Sequence, residues 1–211
     1  IIITDTMSYG GANMAMAEHV PDFRSRTTVY VPADAASDMY GGMFVTSRDG
    51  GENFRNANGS VVTWGRNITA GEAADVKSVE LNAQDGKAEY SGVAEAIVSN
   101  AAANESGRYR DHAANGVIDF NQNSVTTTAN MTGVENTGSS MSVQTSMAYN
   151  DDGTINQGVT YIDGLSVGRM MGTSTGEVYG SNADTLGVVF TGTDGGETDV
   201  VGGMLLNRTD D

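Results

Sequence analysis

Residues 176–208 read GEVYGSNADTLGVVFTGTDGGETDVVGGMLLNR. Val178 and Tyr179 end one strand and run into Gly180, Ser181, Asn182, Ala183 and Asp184, a series of turn formers. Leu186, Val188 and Phe190 then alternate with Gly187, Val189 and Thr191. Thr193-Asp194-Gly195-Gly196 turns the chain again, and residues 200–206 return as a strand. Connections this tight join only antiparallel neighbours, so the chain closes in a meander. Gly180 and Asn182 suit a turn position with positive φ. Gly187, Gly202 and Gly203 remove Cβ atoms where a closing strand bends or lies against another backbone. No helix follows these glycines, so they do not read as a phosphate-binding loop.

Working back from this stretch, the same punctuation recurs. In residues 88–99, Tyr90, Gly92, Ala94, Ala96 and Val98 share one face, and Glu89, Ser91, Val93, Glu95 and Ile97 the other. The first set is small apart from one ring, which fits the tight interior of a small barrel. Residues 117–120 and 125–131 flank Asn121-Gln122-Asn123-Ser124, a hairpin signal. Met141, Val143, Thr145, Met147 and Tyr149 alternate with polar or small residues, the pattern of a half-buried strand. Residues 158–163 and 172–179 precede the closing pair. From residue 88 onward this makes about eight strands, enough to close an up-and-down barrel filled by its own side chains. A β-sandwich is the competing architecture, and the strand spacing fits both.

Residues 1–86 read as a smaller β-rich region, either separate from the barrel or extending it, with residues 87–211 as the barrel domain. Strands are expected at 27–31, 43–47 and 61–64. Short helical turns are expected at 12–20, where Pro21 would end the helix, and at 34–39 and 70–76.

Composition agrees with an all-β chain. There are 28 Gly and 2 Pro among 211 residues, with only 7% aromatic. Eleven Met serve as adaptable core filler. The net charge of −16 disfavours nucleic acid and anionic membrane surfaces. Cysteine is absent, which excludes disulfides and thiolate metal sites. No apolar run approaches the ~20 residues of a membrane helix. The chain begins at Ile1 rather than Met, consistent with removal of a signal peptide or of a lipid-bearing Cys upstream.

Residues 88–208 resemble the β-barrel domain of bacterial transferrin-binding surface lipoproteins and of related haem-binding surface lipoproteins. The closing motif carries most of the resemblance: Val178-Tyr179-Gly180-Ser181-Asn182-Ala183-Asp184-Thr185-Leu186-Gly187, then Val188-Val189-Phe190-Thr191-Gly192, then Val200-Val201-Gly202-Gly203-Met204. Glu89-Tyr90-Ser91-Gly92 and Val117-Ile118-Asp119-Phe120 match weaker family motifs. The resemblance implies an eight-stranded barrel displayed at the cell surface. Larger family members have two lobes, each a handle domain plus a barrel, whereas here one barrel follows a short N-terminal region. The family's partner-binding loops do not map onto this chain, so neither transferrin nor haem is implied by name.

Chemistry-bearing residues are few. Tyr109 and His112 lie in a loop-like stretch, Arg108-Tyr109-Arg110-Asp111-His112, as candidate ligand contacts. Asp151-Asp152-Gly153 and Asp194-Gly195-Gly196-Glu197 read first as turns, with weak oxygen sets for Ca²⁺ as the second reading. No nucleophile–base spacing emerges, and no cofactor or metal is expected. The leading expectation is a non-enzymatic exported bacterial protein, at the cell surface or extracellular, that binds a protein or small ligand through barrel loops. The alternative is self-association as a structural subunit of an extracellular fibre or coat. There Ile1, Ile2, Ile3 and Thr4 would add as a strand to a neighbouring copy.

Overall fold

A computed structural model describes residues 14–22, 25–32, 41–48, 58–65, 84–99, 105–135, 137–150, 153–179 and 183–209. Twelve strands run in order among them: β1 Met14–Asp22, β2 Ser25–Pro32, β3 Gly41–Arg48, β4 Asn58–Gly65, β5 Lys87–Ser99, β6 Gly107–Asp119, β7 Ser124–Gly133, β8 Ser140–Ala148, β9 Gly158–Asp163, β10 Met170–Tyr179, β11 Thr185–Thr193 and β12 Asp199–Arg208.

Strands β5 to β12 form a closed antiparallel barrel in which every strand pairs with its sequence neighbours. The seam is β12 on β5, from Asp199↔Ser99 to Arg208↔Tyr90. This settles the architecture as a barrel. The cause is visible in β7 and β8, whose exposed and buried residues alternate without a break, so only one face of each strand is apolar. Closing the sheet on itself gives that face a core and leaves no edge.

The interior holds Tyr90, Ala94, Ala96 and Val98 of β5, as their small size predicts, with Tyr109, Ile118, Met131, Met141, Leu206 and Phe190 around them. Five of the methionines sit in this core, filling it between rings and alanines. Gly202 faces inward. A Cβ there would stand 2.7 Å from Ala96 Cβ and collide with the Phe190 ring, so the glycine is the socket for that ring.

The N-terminal strands form their own antiparallel sheet, ordered β1-β2-β3-β4, and do not extend the barrel. Tyr30, Met43, Val45 and Val61 of this sheet pack on Val93, Ile97 and Leu205 of the barrel wall, flanked by Val189 and Val201. Two glycines of the closing motif make that seating possible. A Cβ on Gly203 would approach Val61 Cγ1 to 2.6 Å and Met43 Sδ to 2.9 Å; one on Gly187 would reach Thr63 Cβ at 3.0 Å.

Two sequence expectations are corrected. Residues 12–20 are expected as helical turns, yet Met14–Asp22 is a strand paired with β2 from Met14↔Pro32 to His19↔Thr27. The Ala and Met of this segment are good helix formers, but cross-strand pairing overrides so weak a preference. Pro21 falls where the register breaks between His19 and Asp22, on a strand paired on one side among the described residues, a place where a missing N–H costs little. Residues 108–112 are expected as a loop and instead lie inside β6. The expected helical turns at 34–39 and 70–76, and Ile1, Ile2, Ile3, Thr4, Gly180 and Asn182, lie outside the described residues.

Candidate functional site

Alternation along β5 and β6 sends Glu95, Arg108 and Arg110 to the outside of the barrel, where solvent is the default for charge. The N-terminal sheet covers that patch, so Glu95 and Arg108 are buried and Arg110 is nearly so. A buried carboxylate persists only if paired and hydrogen-bonded, and Glu95 is. Its Oε2 accepts from the Tyr30 hydroxyl and from Arg110 Nε at 2.9 Å, and Arg110 Nη2 stands 2.9 Å away. Its Oε1 accepts from Thr28 Oγ1 at 3.3 Å and from Arg108 Nη1 at 3.5 Å.

Arg108 in turn donates from Nε to Glu135 Oε1 at 3.2 Å and from its backbone N to Glu135 Oε2 at 3.0 Å. Its Nη1 also donates to Thr28 Oγ1 at 3.3 Å. Among the described residues, two carboxylates thus face two guanidiniums on the barrel wall, and the sheet reaches them through Thr28 and Tyr30. Arg110 completes the join by lying 6.0 Å from the centre of the Tyr30 ring. Burial, and next the neighbouring Glu95 charge, push the Tyr30 hydroxyl well above its ordinary range, while both arginines pull the other way. Tyr30 therefore stays a phenol and a donor.

The two candidate contacts end up in different settings. Tyr109 belongs to the barrel core, and its hydroxyl donates to the Glu105 carbonyl at 2.7 Å. Burial raises its pKa above the usual range. His112 is half-buried where β6 loses register with β7 between Arg110 and Asn115. Burial foremost, then the Arg110 charge, lowers its pKa below 6.5, with Asp111 and Glu95 opposing. At neutral pH it is an uncharged imidazole beside the buried ion cluster. Among the described residues no three His, Asp or Glu side chains gather as a metal site.

Described residues of the loops at the β5–β6 end of the barrel are tied to the framework. Glu105 accepts from the Ser166 backbone N at 2.8 Å and from its hydroxyl at 2.6 Å, joining the β5–β6 and β9–β10 loops. Arg169 grips Asp163 through Nε at 3.1 Å and Nη2 at 3.0 Å. Asp194 accepts from the backbone N of Gly196 at 2.7 Å and of Thr198 at 3.2 Å, which makes the stretch a closed turn and lowers the carboxyl pKa. At the other end, Ala183, a described residue of the β10–β11 turn, takes a positive φ and is held by the buried Tyr90 hydroxyl donating to its carbonyl at 2.9 Å.

The ion cluster is the feature that sequence reading missed. Its signal was Glu95 standing between Val93 and Ile97 on an outward face. Apolar residues on both sides of a charge imply a covering layer, but the residues that supply it, Thr28 and Tyr30, lie more than 60 positions away.

No family model matches the chain, and no curated protein matches it. Solved structures do match. Transferrin-binding protein B of Neisseria meningitidis serogroup B, isotype 1, aligns at 15% identity and TM-score 0.55 over 97% of this chain and 36% of its own. A variant of transferrin-binding protein B from Haemophilus parasuis Hp5 aligns at 13% and 0.54, over 97% of this chain and 42% of its own. An intact transferrin-binding protein B with N and C lobes aligns at 11% and 0.52, over 95% and 39%. The likeness at these identities is one of fold. It takes in the N-terminal sheet as well as the barrel, beyond the residues 88–208 that carry the sequence resemblance. This chain spans 36–42% of the length of those proteins.

Proposed function

We propose that the protein is a non-enzymatic binding protein of the bacterial cell surface, which holds a protein or small ligand through the loops of its barrel. The observation that carries this reading is the shared arrangement of sheet and barrel over 97% of the chain with a protein named for binding transferrin. The local chemistry supports it. The ion cluster holds the sheet on the barrel, and Glu105, Asp163 and Asp194 hold the rim loops. Loops ordered before contact lose little entropy on binding. The partner is a separate matter from the fold. His112 and the rim loops are the residues assigned to it.

The test is capture. The immobilised chain is exposed to host and growth-medium protein fractions and, separately, titrated with haem. Saturable retention of one partner, or a Soret band, supports the reading. Failure to retain any partner, together with a flat haem titration, counts decisively against it.

A second reading, a subunit joined to others by strand addition, draws on β1 and β4, each paired on one side only among the described residues. Electron microscopy of concentrated protein distinguishes it: filaments lost on deleting Ile1, Ile2, Ile3 and Thr4 support strand addition, and discrete particles with either chain exclude it.

A further inference from the structure

Strand β4 crosses the barrel wall obliquely. Gly59 seats on Ile97 of β5, Val61 meets Gly203 of β12, and Thr63 meets Gly187 of β11. On the rim side of this crossing a groove of about 390 Å³ opens between Gly59 and the turn end of the β11–β12 hairpin, a volume within the ~300–1,000 Å³ of ligand sites. Register lines it with two outward rows. Thr191, Val201 and Ile97 form its base, and Thr193, Asp199 and Ser99 lie next to the turn. The base is apolar, with Ile97 buried and Val201 half-buried. Asp199 is exposed. Its carbonyl accepts from Ser99 Oγ at 3.3 Å, while its carboxylate takes no ion pair or hydrogen bond among the described residues. Glu197, also exposed, precedes it in the turn. No Lys or Arg lines the groove.

We propose that this groove takes an extended basic segment of a protein partner, running off the rim loops and down the wall beside β4. The proposal rests on the loop-binding reading above and names the chemistry of the partner. Charge complementarity selects it. The groove offers an unpaired carboxylate and no cation, so phosphate or carboxylate ligands are repelled and a lysine or arginine is drawn in. The carboxylates of the turn do not gather as a metal site among the described residues, which leaves a side-chain cation as the occupant. Asp199 and Val201 stand one two-residue step apart on β12, ~6.8 Å. An extended segment with a basic residue and a small apolar residue two positions apart therefore meets the carboxylate and the apolar base together. The β11–β12 turn belongs to the same rim as the β5–β6 and β9–β10 loops, so the groove continues the loop surface. By itself it holds a short segment weakly.

The probe is a short peptide of alternating lysine and valine, titrated to about 1 mM into the isotope-labelled whole chain and followed by NMR. The expected result is a saturable shift of the Gly59, Thr191, Thr193 and Asp199 amides, weakened by sodium chloride. A glutamate–valine peptide should shift none of them. Thr191→Trp fills the groove from an exposed position and should abolish the shifts. Asp199→Asn should weaken binding about twofold to fivefold, while Asp85→Asn, an exposed carboxylate at the opposite end of the barrel, changes nothing. Equal weakening by the two asparagine variants overturns the proposal, because it reports general attraction to an acidic chain. An absence of shifts, or shifts confined to other surfaces, overturns it too. The loop-binding reading is judged separately, by partner capture. A partner retained equally by the parent chain and by Thr191→Trp upholds the loops and excludes the groove.

Discussion

Glu95 is fully buried, and Tyr30, Thr28, Arg108 and Arg110 all reach its two oxygens. Glu95→Ala removes a carboxylate that faces both guanidiniums, which costs about 3–5 kcal/mol. Tyr30→Phe removes a single donor to an ionised acceptor and costs about 1–3 kcal/mol. Urea unfolding of the two variants checks both the magnitudes and the order. His112 contributes a pH dependence of known sign. Its pKa is lowered in the fold, so its contribution is fully present above about 6.5. As pH falls below that value the unfolded chain takes up a proton that the native imidazole resists, and stability is lost down to the native pKa. His112→Gln should therefore flatten the stability profile between about pH 7 and pH 5, measured as thermal midpoint against pH, leaving the acid limb set by carboxylates.

At the scale of elements, what could be read from sequence depended on whether one strand's pattern was sufficient. β7 and β8 were legible because solvent lies on one side and the core on the other, so Val125, Met131, Met141 and Val143 declare their face locally. β1 was not legible, because its strand character comes from pairing with residues 25–32, while its own composition favours a helix. β6 was misread over residues 108–112 for a related reason. Its outward arginines look like solvated loop residues until the sheet that buries them is in place. The paired glycines of β12 make opposite predictions. Gly202→Ala drives a methyl into Phe190 and Ala96 inside the barrel, an overpacking that costs about 1–3 kcal/mol and lowers the midpoint of the whole chain. Gly203→Ala presses on Val61 and Met43 from outside. It should leave the barrel ordered and loosen the sheet, seen as earlier proteolytic cleavage within residues 14–65 at an unchanged barrel near-ultraviolet spectrum.

For the whole molecule, the question is how one short sheet and one barrel become a single scaffold. The join has an apolar part, Met43, Val45 and Val61 on Val93, Ile97 and Leu205, and an ionic part centred on Glu95. A four-stranded sheet with one buried face has too small a core to stand alone, whereas the barrel closes on its own hydrogen bonds. We therefore propose a domain boundary at residue 87, with the N-terminal sheet dependent on the barrel. A chain cut to residues 84–211 should keep a β-rich far-ultraviolet spectrum, expose Val93, Ile97 and Leu205, and bind a hydrophobic dye that the full chain excludes. The cut also changes what Glu95 is worth. With Thr28 and Tyr30 gone, water reaches its carboxylate and both guanidiniums, and an exposed ion pair contributes no more than about 1 kcal/mol. Glu95→Ala should then cost several-fold less in the cut chain than in the full one, a difference that a double-mutant comparison by urea unfolding measures directly. Equal costs in the two chains would mean that Glu95 stabilises the barrel wall alone and that the apolar contacts hold the sheet without it.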